Sequence, residues 1–297
     1  MLTLDNLSLR IGRRHLLRDI NGSFAAGEFI AILGENGAGK STLLRAIASH
    51  KRSEHSITTR GDIVLGGTPL GAWSHRQLAN KRAVMEQHNA PPAFLTVQEL
   101  VMMGRFGHNE SMWHANRYAE RWLQRLQLDT LKDQALSRLS GGQQQRGHLA
   151  RCFAQIDDTA LPASEPSVDN SQAIDYEAIY PADKMLLLDE PTSALDVYHQ
   201  HRCLKHAKAF ANAGNLVIAV MHDINLAALY ANRIALLHSG KLMALGKPAE
   251  VLREDTLQTM YRVKMNVQRP PDGTPFVISR PFAEHADHQD GELLAVD

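Results

Sequence analysis

A glycine-rich stretch near the start of the chain has the residue types and spacing of a phosphate-binding loop. It follows the pattern G-x-x-x-x-G-K-S from Gly34 to Ser41. Glycines allow backbone N–H groups to turn toward a polyanion, and the N-terminus of a following helix adds positive potential. Lys40 would place a full charge near the β- and γ-phosphates, and the Ser41 hydroxyl would bind Mg²⁺. The pattern predicts a nucleoside triphosphate site made of Gly34, Glu35, Asn36, Gly37, Ala38, Gly39, Lys40, Ser41 and Thr42.

Two carboxylates follow an apolar run much later in the chain. Residues 185–188 are Met-Leu-Leu-Leu, and Asp189 and Glu190 come directly after them. If the run is a buried strand, both carboxylates lie at its carboxyl end, where open α/β sheets bind ligands. Asp189 would then hold Mg²⁺, and Glu190 would act as general base on the attacking water, a role worth about 10²–10⁴ in rate. The simpler alternative is a strand end with a solvated turn.

The residues around the phosphate loop predict the elements that must position it. The apolar run Phe29–Leu33 precedes the loop, and apolar residues at helical spacing follow it over 41–49. Further apolar runs at 185–188, 216–221 and 234–237 predict more strands of the same sheet. The fold class is therefore α/β with parallel strands.

Helical patterns occupy the middle of the chain. Thr96 and Glu99 have the spacing of a capping box at the start of a helix. Two more helices are predicted at about 116–126 and 140–154. Because strand patterns return afterwards, this helical segment is predicted to be inserted into the α/β core.

A third motif makes a family resemblance specific. Ser140, Gly141, Gly142 and Gln143 follow Leu139 in the order LSGGQ, which resembles the signature of ABC ATPases. The resemblance covers about residues 2–262 and implies a P-loop NTPase (RecA-like) core with an antiparallel β subdomain. It also implies an inserted α-helical subdomain over about 91–155. Residues 263–297 would be a C-terminal extension, with a tail from 281 expected to be disordered.

The resemblance also implies roles for single residues. Gln87 matches the glutamine that contacts Mg²⁺ and senses the γ-phosphate, and His222 matches the switch histidine. Together with Lys40 and Glu190 they would form the catalytic set, while Ser41, Gln87 and Asp189 would bind the metal. Ile11 stands where the family usually has an aromatic residue that stacks on adenine. An aliphatic side chain there can pack against the base but cannot stack on it.

The signature can also be interpreted without the resemblance. Ser140 followed by two glycines exposes backbone N–H groups at a helix start, which makes a second anion site. The structural alternative is a simple helix cap, because Ser is a good N-cap residue. The resemblance explains the second site by a head-to-tail dimer in which each signature closes over the partner's ATP.

Composition excludes several other classes of protein. Lys plus Arg and Asp plus Glu both number 32 in 297 residues, so a strongly basic nucleic-acid-binding protein is not expected. Cys152 and Cys203 are too few for a disulfide framework and are expected to be reduced. The apolar runs are far shorter than the roughly 20 residues that cross a bilayer. His285 and His288 in the polar tail are not expected to bind a metal.

Residues 157–183 differ from the rest of the chain. They contain seven acidic residues, three prolines and no Lys or Arg. We therefore predict an acidic insertion on the surface, loosely packed or mobile.

The resemblance extends to partners and to a transported molecule. The run at 94–105 is similar to importers of iron–siderophores, cobalamin and heme, and residues 193–200 and 222–231 are most similar to hemin importers. Two copies are therefore expected to bind two permease subunits at the cytoplasmic face of the inner membrane, supplied by a periplasmic heme-binding protein. Membrane contact would be through the permease only, with the docking groove at about 88–105. The alternatives are a siderophore or cobalamin importer, a soluble ABC ATPase, and a non-hydrolysing regulator, which Lys40, Glu190 and His222 argue against.

Overall fold

The computed structural model describes residues 2–48, 57–87, 94–159, 161, 180, 182–271 and 273–280. Its strands are β1 (Leu2–Ile11), β2 (Arg14–Phe24), β3 (Phe29–Leu33), β4 (Ile57–Leu65), β5 (Thr68–Pro69), β6 (Arg82–Met85), β7 (Met185–Asp189), β8 (Leu216–Val220), β9 (Arg233–His238), β10 (Lys241–Gly246), β11 (Met265–Gln268) and β12 (Phe276–Ser279). Its α-helices are α1 (Lys40–Ile47), α2 (His75–Lys81), α3 (Val97–Met103), α4 (Met112–Arg125), α5 (Gly141–Ile156), α6 (Val197–Asn212), α7 (Ile224–Tyr230), α8 (Pro248–Val251) and α9 (Glu254–Tyr261).

The central sheet has the strand order β10-β9-β3-β8-β7-β6. All neighbours in it are parallel except β10, which pairs antiparallel with β9. Every residue of β3, β7 and β8 is buried, as expected for parallel strands covered on both faces. The predicted α/β class with a parallel core is confirmed.

Alternate residues of β3 point into two different hydrophobic cores. Ile30 and Ile32 pack with α1 and with the antiparallel sheet β2-β1-β4-β5. Phe29, Ala31 and Leu33 pack with residues of α3 to α7 on the opposite face. The central sheet therefore lies between the N-terminal β subdomain and the helices.

The helical subdomain begins as its local signals predict. Thr96 and Glu99 form both bonds of a capping box at α3. Helix α4 begins at Met112, four residues before the predicted start, because Ser111 accepts a hydrogen bond from the backbone of His114 and caps the helix. Cys152 and Cys203 are both buried, and no disulfide joins them.

The prediction of a loosely packed acidic surface insertion at 157–183 is wrong for Asp157 and Tyr180, whereas Asp158, Ala182 and Asp183 are exposed. Asp157 is 1% exposed, and its carboxylate accepts hydrogen bonds from the indole N–H of Trp122 at 2.9 Å and from Arg121 at 3.1 Å. Tyr180 is also buried and bonds His206 at 3.1 Å. A buried carboxylate is stable only when charged or polar donors compensate it, and the sequence pattern did not reveal these donors. Residues 160, 162–179 and 181 lie outside the described residues.

The C-terminal extension forms a hairpin of β11 and β12 over its described part. Asn225 of α7 holds β12 by two hydrogen bonds, to the backbone oxygen of Val277 at 3.1 Å and from its backbone nitrogen at 2.7 Å. The predicted tail from 281 and its histidines lie outside the described residues. Among the helices that the structure describes, none has both the length and the apolar character needed to span a membrane.

Candidate active site

The candidate site lies at the carboxyl edge of four neighbouring strands. The phosphate loop follows β3, and Gln87 follows β6. Asp189 ends β7, Glu190 comes next, and His222 follows β8 by two residues. Because these strands are parallel and adjacent, the fold gathers at one edge residues that are far apart in sequence.

The loop backbone needs glycine where it turns into α1. Gly39 has φ 101°, and a Cβ atom there would lie 2.9 Å from the carbonyl oxygen of Leu16. Lys40 is 6% exposed, and its Nζ donates to the carbonyl oxygens of Gly34 at 2.8 Å and Glu35 at 3.0 Å. Burial lowers the pKa of Lys40, an effect that the nearby Glu190 and Asp189 oppose.

The predicted metal ligands Ser41 and Asp189 are in direct contact. The Ser41 hydroxyl donates to Asp189 Oδ1 at 3.0 Å. Asp189 is 2% exposed, and burial raises its pKa, which the bond from Ser41 and the charges of Arg45 and Lys40 oppose. A hydroxyl and a carboxylate are hard oxygen ligands, which Mg²⁺ prefers. The donor set therefore fits this cation.

Three of the predicted catalytic residues meet at one carboxylate. Gln87 Nε2 donates to Glu190 Oε2 at 2.7 Å, and His222 Nε2 bonds Glu190 Oε1 at 2.5 Å. Glu190 itself has the left-handed backbone value φ 53°. The carboxylate is thereby held between Gln87 and His222.

A cavity of about 940 Å³ opens beside these residues. Its lining includes six predicted loop residues, Asn36, Gly37, Gly39, Lys40, Ser41 and Thr42, together with Gln87, Glu190 and His222. It also includes residues that the sequence reasoning missed, namely Arg13, Arg14, His15, Leu16, Arg18, Ser239 and Gly240. The basic run after Gly12 was visible in the sequence, but only the folded β1–β2 hairpin places it at this cavity.

Some predicted site residues lie outside the cavity lining. Ile11 ends β1, pairs across the hairpin with Arg14, and is 38% exposed. The other predicted site residues of this region that do not line the cavity are Gly34, Glu35, Ala38 and Asp189.

The signature residues are also outside this cavity, at the start of α5. Ser140 and Gln143 form both bonds of a capping box, so the motif does cap the helix, and its glutamine takes part in the cap. Ser140 and Gly141 are exposed to solvent. Of the docking groove predicted at 88–105, residues 88–93 lie outside the described residues.

Comparison with known proteins shows the family of this chain. Residues 17–161 match the family described as ABC transporter. The chain is 42% identical to the hemin import ATP-binding protein of Idiomarina loihiensis, over 95% of this chain and 99% of that protein. It is 38% identical to the protein of the same name from Plesiomonas shigelloides, over 90% and 97%.

Solved structures agree on the fold. A chain of an inward-facing ABC transporter described as metal-chelate type matches with TM-score 0.70 at 24% identity, over 95% of this chain and 98% of that chain. A dimeric ATP-binding cassette bound to ADP and phosphate matches with TM-score 0.67 at 24% identity, over 84% and 99%. With relatives of this identity aligned along nearly their whole length, the chain belongs to the ABC transporter family as one of its ATP-binding proteins.

Proposed function

We propose that this chain is the ATP-hydrolysing subunit of an ABC importer and that the imported molecule is hemin. The observation that carries the ATPase role is the meeting of Gln87, His222 and Glu190 beside the phosphate-loop cavity. The substrate is supported by relatives named hemin import ATP-binding proteins, which align over nearly the whole of both chains. A ferric-siderophore or cobalamin importer is the alternative within the family.

The phosphate loop binds the triphosphate of ATP. Gly37, Gly39 and Lys40 line the cavity, where the loop backbone N–H groups would bind the phosphates and Lys40 would add a positive charge. The hydrogen bonds from Lys40 Nζ to the carbonyl oxygens of Gly34 and Glu35 hold the ammonium group within the phosphate loop. Ser41, Asp189 and Gln87 would hold Mg²⁺, which when bound neutralises phosphate charge.

Glu190 is the general base in this proposal. Its carboxylate accepts the proton of the water that attacks the γ-phosphate. Gln87 and His222 fix the two carboxylate oxygens, and His222 also lines the cavity where the γ-phosphate would lie. Most of the catalysis then comes from positioning and charge stabilisation around the phosphoryl group.

A second copy of the chain completes the site. The signature forms a helix N-terminus with anion-binding potential, in which Ser140 and Gly141 are exposed and Gly142 and Gln143 are half-buried, yet none of the four lines the cavity of its own chain. In a head-to-tail pair they would close over the partner's ATP. Ile11 does not line the cavity, so any contact that it makes with adenine would lie beyond the cavity lining.

The helical subdomain offers a surface for the permease. Phe94, Phe106, Met112 and Trp113 are between 64% and 80% exposed. All four side chains belong to the helical subdomain, and exposed apolar patches mark interaction surfaces. We propose that two copies bind two permease subunits there, at the cytoplasmic face of the inner membrane, with a periplasmic heme-binding protein delivering the substrate.

Reconstituted transport tests the proposal. Vesicles that contain the cognate permease and this subunit would be supplied with ATP and with hemin, a ferric siderophore or cobalamin. We expect ATP-dependent uptake of hemin alone, and none with Glu190→Gln. Uptake of cobalamin but not hemin would overturn the assignment of hemin as the imported molecule. Failure to co-purify with any permease would favour a soluble ABC ATPase.

The Glu190→Gln variant separates hydrolysis from binding. Glutamine keeps the size of the side chain, but its neutral amide cannot act as a base toward the attacking water. We expect ATP affinity to be retained, turnover to fall by about 10²-fold or more, and a closed dimer to accumulate with ATP. Unchanged turnover would exclude Glu190 as the base.

A further inference from the structure

One side chain links the signature helix to the backbone of Glu190. Gln145 lies in α5, two residues after Gln143. Its Nε2 donates to the carbonyl oxygen of Glu190 at 2.7 Å, and its Oε1 accepts from the backbone nitrogen of Ala194 at 3.0 Å. One amide thus holds both ends of the turn that follows β7.

The start of α5 packs closely on the same turn. A Cβ atom at Gly142 would lie 2.8 Å from the carbonyl oxygen of Ala194. The signature glycine therefore lets the helix approach the turn, and Gln145 bonds across that contact. A shift of the first turns of α5 would be transmitted to residues 190–194.

Glu190 needs such support because its backbone is strained. A non-glycine residue in the left-handed region costs on the order of 1–2 kcal/mol, and Glu190 has φ 53°. Its N–H donates to the carbonyl oxygen of Val220 in β8 at 3.1 Å. Its carbonyl accepts from the Ser193 hydroxyl at 3.2 Å, from the Ser193 backbone N–H at 3.4 Å and from Gln145 at 2.7 Å. The Gln145 bond is the shortest of the four, and among the bonds to the carbonyl it alone comes from outside the turn.

We propose that Gln145 is a positioning residue for hydrolysis. It holds the Glu190 backbone in the conformation that directs the carboxylate to Gln87 and His222. In the head-to-tail dimer, the signature turn of α5 contacts the partner's ATP, so Gln145 also connects nucleotide at one site to the alignment of Glu190 at the other. The inference rests on the proposed role of Glu190 as general base.

The same helix offers a matched control. Gln155, near the other end of α5, donates to the carbonyl oxygens of Ala79 at 2.9 Å and Arg82 at 3.0 Å. Like Gln145 it is half-buried and makes two bonds to backbone, but it is remote from Glu190 in the fold. Substitution of Gln155 therefore measures how much a glutamine of α5 with a purely structural role contributes to stability and to turnover.

The experiment measures ATPase kcat, KM, ATP affinity and Tm of the full chain. We expect Gln145→Ala to lower kcat by about tenfold, which corresponds to one well-aligned hydrogen bond, with KM and ATP affinity within about twofold of the parent. Gln145→Glu keeps the acceptor for Ala194 but loses the donor to Glu190, so its kcat should fall as well. Gln155→Ala should lower Tm while keeping kcat.

Two outcomes would overturn the inference. One is a Gln145→Ala or Gln145→Glu protein with the parent's kcat, and the other is an equal loss of kcat in Gln155→Ala. Should Gln145→Ala not fold, the near-isosteric Gln145→Glu decides by the same measurements. Glu190→Gln is assayed in parallel: if it remains active, the general base is misassigned, whereas an inactive Glu190→Gln with a fully active Gln145→Ala removes only the role of Gln145.

Discussion

At the scale of single residues, the unexpected feature of the site is the basic rim of its cavity. Arg14 lines the cavity, while Ile11, its cross-strand partner in the β1–β2 hairpin, does not. A guanidinium at the rim attracts the polyanion and can donate to phosphate or ribose oxygens. We expect Arg14→Ala to weaken ATP binding by about three- to tenfold, measured by titration calorimetry, with the loss decreasing at high salt.

Ile11→Ala is the control for this prediction. Both residues are exposed on one hairpin, so neither substitution should change stability by more than about 0.5 kcal/mol. ATP affinity should stay within about twofold of the parent. If Ile11→Ala instead weakens binding as much as Arg14→Ala, the sequence prediction that Ile11 contacts the base is supported, and the cavity closes further over the base than it does here.

The residues that sequence patterns located well are those that act through local backbone. The phosphate loop from Gly34 to Ser41 is one continuous turn between a strand and a helix. Its sequence pattern therefore predicts its conformation without tertiary information. Arg14 and Arg18 have no such pattern, because their place at the cavity depends on how the hairpin packs against the loop and the β9–β10 turn. Their role follows from tertiary contacts that spacing alone does not encode.

At the scale of elements, the C-terminal hairpin is tied to the helix that follows His222. Asn225, three residues on, makes both hydrogen bonds that hold β12 at Val277. Burial raises the pKa of Tyr261, the last residue of α9, to about 12, and the phenol thus stays neutral where the backbone of Gly34 bonds it. The hairpin therefore contacts the helix that follows His222, and α9, which precedes the hairpin, contacts the phosphate loop.

We expect Asn225→Ala to release β12. Removal of both bonds leaves a backbone donor and acceptor unpaired, which costs about 1–3 kcal/mol each where they stay buried. Hydrogen exchange should show faster exchange of the Val277 amide, with the strands β3, β7 and β8 unchanged. Asn225→Asp keeps the acceptor and should give an intermediate rate, and unchanged exchange in both variants would mean that strand pairing alone holds the hairpin.

Element boundaries show what sequence patterns can and cannot decide. The capping box of Thr96 and Glu99 fixes the start of α3 because all of its atoms are within four residues. Asp157 looked like the first residue of a polar excursion, but Trp122 and Arg121 from another helix make it part of the core. Such compensation of a buried charge by distant donors cannot be recognised from composition.

At the scale of the whole molecule, two buried histidines make stability depend on pH. Burial, with smaller contributions from Arg202 and Arg125, lowers the pKa of His206 to about 3, and burial together with Arg151 lowers that of His148 to about 4. Both are neutral in the folded protein and bind protons near pH 6.5 once unfolded. Their contribution to stability is complete above pH 6.5 and is lost as the pH falls toward 4 and 3.

Urea unfolding at pH 8, 6.5 and 5 measures this loss. Below pH 6.5 each histidine should reduce the free energy of unfolding by up to about 1.4 kcal/mol per pH unit. His206→Gln and His148→Gln should each flatten that dependence, whereas His75→Gln, at an exposed position, should leave it unchanged. If the free energy of unfolding fell with pH at the same rate in the parent and in all three variants, groups other than His206 and His148 would cause the loss.

The proposal that two chains build each site can be tested by mixing two inactive variants. Lys40→Ala removes the charge of the phosphate loop, and Gly141→Asp places a negative charge at the signature. The second substitution suits the fold, since Gly141 is exposed, a Cβ there meets only Ala194 Cβ at 3.7 Å, and an acidic residue in the first turn stabilises a helix. Gly142 would not serve, because a Cβ there meets a carbonyl oxygen at 2.8 Å.

Neither variant alone can form an intact site, because in each homodimer every site lacks either Lys40 or a functional signature. In a mixed dimer, the Lys40 of the Gly141→Asp chain meets the unchanged signature of the Lys40→Ala chain, and one site is whole. We expect hydrolysis to reappear on mixing, in proportion to the amount of mixed dimer. If each chain hydrolysed ATP with its own signature, mixing would restore nothing, and Gly141→Asp would lose activity even when it is diluted below dimerisation.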